Sequence, residues 1–236
     1  MASPNRVSRI VVATKNSGKI VEIRAILKDL PCKVFSISDV DPAYQVEEDG
    51  QTYAENAIKK AKVAAVAAGT LAIADDSGLE VDALGGAPGI YSARFGGEHL
   101  PQPEKNKLLL HQIEGRSDRS ARFRCVIAIV SPAGTVETTE GVCEGVIGTE
   151  ERGTGGFGFD PIFIVPEYGK TMAELGPAIK NVISHRAKAL ANLRKILPGF
   201  LRSPISKVDR ILKENARKFL LTFFQGVSLG TFASGA

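Results

Sequence analysis

The chain has 236 residues, 44% hydrophobic and 24% charged, with 24 glycines and 12 prolines scattered along it; this is enough for one large domain or two small ones and excludes collagen-like and low-complexity classes. The net charge of +4 comes from residues 198–236, with six basic and two acidic residues, whereas residues 1–197 carry 24 of each sign, so the main body gives no charge-based case for nucleic-acid binding. The three cysteines, Cys32, Cys125 and Cys143, lack CxxC spacing, which excludes a disulfide framework and a zinc site and points to a reducing compartment, the cytoplasm.

After MASPNRVSR, the apolar run IVVAT is too short for a secretory signal core, and no stretch approaches the roughly 20 apolar residues of a membrane span. RIVVAT (9–14) reads as a buried strand, and the helical spacing of Ile20, Ile23, Ile26, Leu27 and Leu30 follows at once, giving a strand, a loop and a helix. A second helix is expected from Thr52 to Ala68, rich in alanine and stopped by Gly69. LAIAD (71–75) is strand-like, LGGAPG (84–89) is a loop, and RFRCVIAIVS with TVETTEGVCEGVIG, joined through Pro132, Ala133 and Gly134, form an antiparallel pair. A glycine-rich loop (153–158), a strand in PIFIVP (161–166) and a helix over 184–197 complete an α/β or α+β domain. In residues 198–236, Ser203 and Pro204 start a basic amphipathic helix with Ile205, Val208, Leu212, Ala216, Phe219 and Phe223 on one face. Packing on the domain or a dimer, or partial disorder, is its favoured reading, with membrane-surface contact the weaker alternative, and the final GVSLGTFASGA reads as a flexible tail.

Five segments carry candidate chemistry. TKNSGK (14–19) lies where a strand enters a helix, a position that favours a bound phosphate, with Lys15 and Lys19 adding charge. It is not a Walker loop, and an ordinary strand-to-helix turn is an equal reading. Asp75, Asp76 and Ser77 lie at the expected C-terminal end of the apolar strand LAIAD, where ligands commonly bind. Adjacent strand residues face opposite ways, so one carboxylate enters the site and the other braces it. A member of the acidic run Glu47, Glu48 and Asp49 could join Asp76 on a hard cation, or the run is a solvated loop. GTGGFGFD (153–160) opens a strand and not a helix, which excludes a dinucleotide fingerprint. Phe157 and Phe159 beside Asp160 form either a purine platform or a pair of core rings at a glycine turn. Lys180, Ser184, His185 and Arg186 concentrate donors at the last helix start, whereas His99 and His111 are structural or exposed.

TKNSGK, GQTYAENA, IADDSGLEVDALGGAPGIYSARF, GTGGFGFDPIF and KNVISHRAKAL, in this order over residues 9–197, resemble the inosine triphosphate pyrophosphatase family. The resemblance implies an elongated α/β domain with a twisted mixed sheet, two lobes and an intervening active-site cleft, usually assembled as a homodimer. It implies a magnesium-dependent enzyme that hydrolyses non-standard purine nucleoside triphosphates (ITP, dITP and XTP) to monophosphate and pyrophosphate. By position, Thr14, Lys15, Asn16, Ser17, Gly18 and Lys19 hold phosphate together with Lys60. Glu48 and Asp76 bind the metal, Asp76 is the general base and Ser77 contacts substrate. Phe157, Gly158, Phe159 and Asp160 recognise the base with Lys180, His185 and Arg186. Donor groups on Arg186 and His185 suit the 6-keto acceptor of hypoxanthine and xanthine and not the 6-amino group of adenine. Two rival classes are a nucleotide-binding module without catalysis, which needs no paired carboxylates, and a pyrophosphatase for other nucleotides, which would differ at 157–160 and 185–186.

Overall fold

The computed structural model describes residues 8–202; the amphipathic helix expected from Ser203 lies outside the described residues. The elements are β1 (Ser8–Val12), α1 (Ser17–Leu27), β2 (Cys32–Ser36), α2 (Tyr53–Ala68), β3 (Leu71–Val81), α3 (Gln102–Gln112), β4 (Ser120–Val130), β5 (Val136–Ile147), β6 (Phe163–Val165), β7 (Lys170–Thr171), α4 (Gly176–Ile183) and α5 (His185–Arg202). One seven-stranded sheet runs in the order β2-β1-β3-β4-β5-β6-β7. It is parallel across β2, β1 and β3 and antiparallel from β3 onward, the mixed α/β sheet expected.

Strand alternation divides the core. On one face of the parallel end, Ile10, Val12, Ile73, Ile127 and Ile129 pack against Ile23 and Leu27 of α1 and Leu190, Leu193 and Leu197 of α5. On the other, Val11, Ala13, Ala72, Ala74 and Ala128 meet Ala57, Ala61, Ala64 and Ala65 of α2, whose helical spacing puts a small-residue stripe against the sheet and lets the backbones approach closely. Thr52 caps this helix by accepting from the Glu55 N–H at 3.1 Å, and Gly69 ends it at φ 57°, a left-handed conformation cheap only for glycine. A third cluster at the far end joins Leu79, Val81, Phe123, Ile147, Phe163 and Leu109. β3 and β4 run through all three clusters, and the transition between the two ends falls at Asp75–Ser77 and Cys125–Val126. The candidate residues therefore sit where the two lobes meet.

Several local expectations change. β3 does not end at Asp75: it continues to Val81, because Ser77–Val81 pair with Ala121–Cys125 of the long hairpin, so the Asp–Asp–Ser segment lies mid-strand. Asp160–Ile162 form a 3₁₀ turn, and the strand in PIFIVP shrinks to Phe163–Val165. α5 passes Pro198 and continues to Arg202 with Leu197 and Leu201 against the core, so packing outweighs the one backbone bond that proline removes. β2 and α3 carry weak periodicity and are decided by packing.

Candidate active site

The turn between β1 and α1 is built from its own short polar side chains. Thr14 Oγ1 accepts from the Asn16 N–H at 3.1 Å, and Asn16, the N-cap, accepts from the Lys19 N–H at 3.0 Å. Thr14, Lys15, Asn16 and Lys19 line a cleft of about 500 Å³, whereas Ser17 and Gly18 do not; the two lysines beside a helix N-terminus give it the electrostatic setting of an anion site. Across the cleft are Tyr44, Glu48, Lys60, Asp76 and Ser77, with Ile90 and Ala93 closing a third side.

The two aspartates face opposite ways. Asp76 turns toward α2, where Lys60 Nζ lies 2.8 Å from Asp76 Oδ1 and 3.1 Å from Glu48 Oε1, and Asn56 Nδ2 donates to Asp76 Oδ2 at 3.3 Å. Asp75 turns toward α5: Lys19 Nζ is 3.1 Å from its Oδ2, which also accepts from Arg186 Nε and Nη2 at 3.1 and 2.9 Å. Their acidities diverge accordingly. Burial pushes Asp75 up, but Lys19, Arg186 and Lys60 outweigh it and hold the carboxyl well below the ordinary range. For Asp76, burial wins over the pull of Lys60, with Glu48 adding to the rise, so the carboxyl titrates above its usual value. Lys60 loses charge stability to burial but regains more from Asp76, Glu48 and Asp75, and its pKa is raised.

Glu48, half-buried, is brought to the cleft, whereas Glu47 is exposed and does not line it. The donor set of Glu48 and Asp76 is all carboxylate oxygen, which suits a hard divalent cation. Among the described residues no group of three or more His, Cys, Asp or Glu side chains converges on one point, so a cation here would complete its shell from water and substrate phosphates, as magnesium does.

The remaining candidates form a second, buried layer. The Phe157 ring lies against the Thr14–Lys19 turn: a Cβ on Gly18 would come within 2.6 Å of its Cδ1. Lys180 Nζ and the Arg186 guanidinium stand 4.5 and 5.6 Å from its centroid, a cation–π arrangement. Asp160 accepts from the Phe157 N–H at 2.8 Å and is bonded by Lys180; burial raises its pKa despite that ammonium. Gly158 adopts φ 64°, while Phe159 is 4% exposed and packs edge-on to Phe95 at 6.2 Å. Of the two rings expected as a platform, one faces the turn and the other belongs to the core. Lys180, His185 and Arg186 are each no more than 5% exposed, and neither they nor Asp160 line the open cleft.

Sequence reading missed Glu22. Its carboxylate accepts from Arg186 Nη1 at 2.5 Å and pairs with Lys180 Nζ at 2.9 Å, tying α1 to α4 and α5. The available signal was its place three residues after Lys19 on the stripe that carries Ile23 and Ile26. Asn56, four residues before Lys60, is the equivalent omission on α2.

His185 stacks on Phe123 with centroids 4.8 Å apart, and its Nδ1 is buried without a hydrogen-bond partner. Burial, with Arg186 and Lys180 adding repulsion, lowers its pKa well below the ordinary value. The unfolded chain therefore binds more protons between this lowered pKa and about 6.5, and stability is lost as pH falls through that window. The melting temperature should fall from pH 7.5 to 5.5, and His185→Gln should flatten that fall by up to about 1.4 kcal/mol per pH unit. Parallel pH dependence in parent and variant would show that the imidazole does not stay neutral in the fold.

A mixed α/β sheet with a cationic strand-to-helix turn facing a lysine-bridged carboxylate pair defines a protein equipped for a phosphorylated ligand. Residues 10–196 match the model of the Ham1 family, and the chain belongs to that family. It is 55% identical to a dITP/XTP pyrophosphatase of Desulforamulus reducens over 191 residues, 80% of this chain and 95% of the relative. It is 52% identical to one of Geobacter sulfurreducens, over 79% of this chain and 95% of the relative. The solved HAM1 protein of Coxiella burnetii superposes with a TM-score of 0.75 at 43% identity, over 81% of this chain and 99% of that one. The Staphylococcus aureus Ham1 protein gives 0.73 at 44% identity, again over 81% and 99%.

Proposed function

We propose that this protein is a magnesium-dependent pyrophosphatase that hydrolyses the non-standard purine nucleoside triphosphates ITP, dITP and XTP to monophosphate and pyrophosphate. The carrying observation is the Lys60 ammonium held between Glu48 and Asp76, directly across the cleft from the Thr14–Lys19 turn. Relatives covered over 95% of their length carry the name dITP/XTP pyrophosphatase, which supports the substrate class.

In this reading the turn N–H groups, Lys15 and Lys19 grip the phosphate chain. Asp76 orients a water toward the α-phosphorus and takes its proton, and its raised pKa makes it a better base than an exposed aspartate. Lys60 stays protonated and offsets charge that grows on the leaving pyrophosphate. Magnesium held by Glu48 and Asp76 would supply neutralisation of the triphosphate and a more acidic water. Asp75, paired with Lys19 and Arg186, braces both sides of the cleft. Phe157 leaves Gly18 to stack on the base, which uncovers Asp160, Lys180, His185 and Arg186; donors there match a 6-keto group and leave adenine mismatched. A cytoplasmic homodimer is part of the same proposal. The cytoplasmic part accords with the three free cysteines.

The test is a panel of nucleoside triphosphates with magnesium, scored for pyrophosphate against orthophosphate. ITP and XTP should give monophosphate and pyrophosphate, ATP should be turned over more slowly by roughly 5- to 150-fold for each mismatched donor, and chelator should abolish activity until magnesium returns. Orthophosphate released from fresh triphosphate by pure enzyme would overturn the mechanism.

A further inference from the structure

Glu48 sits on a long arm without regular structure. Between the 3₁₀ turn Ile37–Asp39 and α2, residues 40–52 contain no helix or strand. The ends of this arm are tied down: Tyr44 Oη donates to the Lys60 carbonyl at 3.0 Å, and the Gly50 and Gln51 N–H groups donate to Asn56 and Glu55 at 2.8 and 2.7 Å. Its centre depends on bonds from outside. Among the described residues, those that reach Glu48 are Lys60 on its carboxylate and Arg94 Nη2 on its backbone carbonyl, the latter at 3.1 Å.

Arg94 is itself prepared for that contact. It ends the 3₁₀ turn Gly89–Arg94, and its guanidinium lies 5.6 Å from the Tyr91 ring centroid, which restricts an otherwise flexible side chain. Ser92, buried in the same turn, donates to the Gly89 carbonyl at 2.7 Å and accepts from the Leu79 N–H at 2.8 Å, fastening the turn to β3 three residues from Asp76. Lys105 of α3, 5% exposed, donates to the Ala93 carbonyl. Ile90 and Ala93 line the cleft, and Arg94 does not.

We infer that Arg94 is a positioning residue: by holding the Glu48 carbonyl it sets the arm at the height where the Glu48 carboxylate reaches the site of Asp76. Lys60 cannot do this alone, because a single ammonium on a flexible stem fixes a distance and not the backbone that carries the carboxylate. A bond to the main chain fixes where the side chain starts, and the rigid turn beneath Arg94 is joined to the strand that carries Asp76. The two metal-facing carboxylates are thereby referred to one framework although 28 residues separate them in sequence. This inference rests on the assignment of Glu48 to the metal.

The test compares the parent with Arg94→Ala, Arg94→Lys and Glu48→Gln. Mn²⁺ alone, counted by electron paramagnetic resonance, should bind roughly 10-fold more weakly to Arg94→Ala, with hydrogen exchange of the bonded Gly50 and Gln51 amides of the arm faster by about 5-fold or more. The magnesium concentration for half-maximal turnover should rise by a similar factor while kcat at saturating magnesium stays within about twofold of the parent. Arg94→Lys, which keeps a charged donor, should recover most of the affinity. Parental Mn²⁺ affinity and parental exchange in Arg94→Ala would overturn the inference while leaving the proposed function intact. If Glu48→Gln binds Mn²⁺ as the parent does, it is the metal assignment that fails; the hold of Arg94 on the arm then stands or falls on the exchange rates of the Gly50 and Gln51 amides alone.

Discussion

Asp76→Asn should lower kcat on the order of 10²-fold or more while the protein stays folded. The substitution keeps the shape and one oxygen, which can still accept from Lys60 at 2.8 Å, and gives up the acceptor that Asn56 uses at 3.3 Å; it removes the charge proposed to take a proton from water. Folding should survive because burial already disfavours the ionised carboxyl and raises its pKa; a neutral amide relieves that cost instead of adding one. Glu48 remains at 3.1 Å to partner Lys60. Measurement of kcat at saturating ITP and magnesium, with a thermal melt beside it, separates the cases. Turnover near that of the parent would remove Asp76 from the role of base, and a collapsed melt would make it structural.

Arg186→Ala should cost more stability than any other single change in the site, about 3–5 kcal/mol, or roughly 6–20 °C in melting temperature. Its side chain is 1% exposed and makes four donations, two to Asp75, one to Glu22 and one to Ser77. Removing it leaves the Asp75 carboxylate, fully buried and already lacking a partner at Oδ1, with Lys19 as its close counter-charge. A second variant separates pairing from packing. Adding Asp75→Asn to Arg186→Ala should return part of the lost stability, since the uncompensated charge is then gone. Additive losses in that cycle would mean the pair is not coupled. The same network bears on base choice: at 25 °C and below its melt, Arg186→Ala should also show a smaller preference for ITP over ATP, and an unchanged ratio would assign the discrimination to Lys180, His185 or the backbone of 157–160.

Much of this molecule is determined by local sequence, for physical reasons that act over a few residues. The β1 strand and the Asn16-capped helix behind it follow from apolar spacing and cap chemistry, α2 from its alanines between Thr52 and Gly69, and the β4–β5 hairpin from alternation around a Pro–Ala–Gly turn. The divergence of Asp75 and Asp76 follows from strand geometry alone, since neighbouring side chains must point to opposite faces. Tertiary structure decided what depends on register and on contacts between distant segments. It extended β3 past Asp75, because pairing with β4 continues where the apolar run stops. It chose Glu48 over Glu47 for the cleft, because the path of the arm and not local preference aims the side chain. It separated Phe157, packed on Gly18, from Phe159, packed on Phe95, although both flank the same glycine. Above all, it joined Arg186 to Asp75 across 111 residues and to Glu22 across 164. No local period encodes such a pairing, because two opposite charges leave water together only where the packing of separate helices and strands brings them into contact.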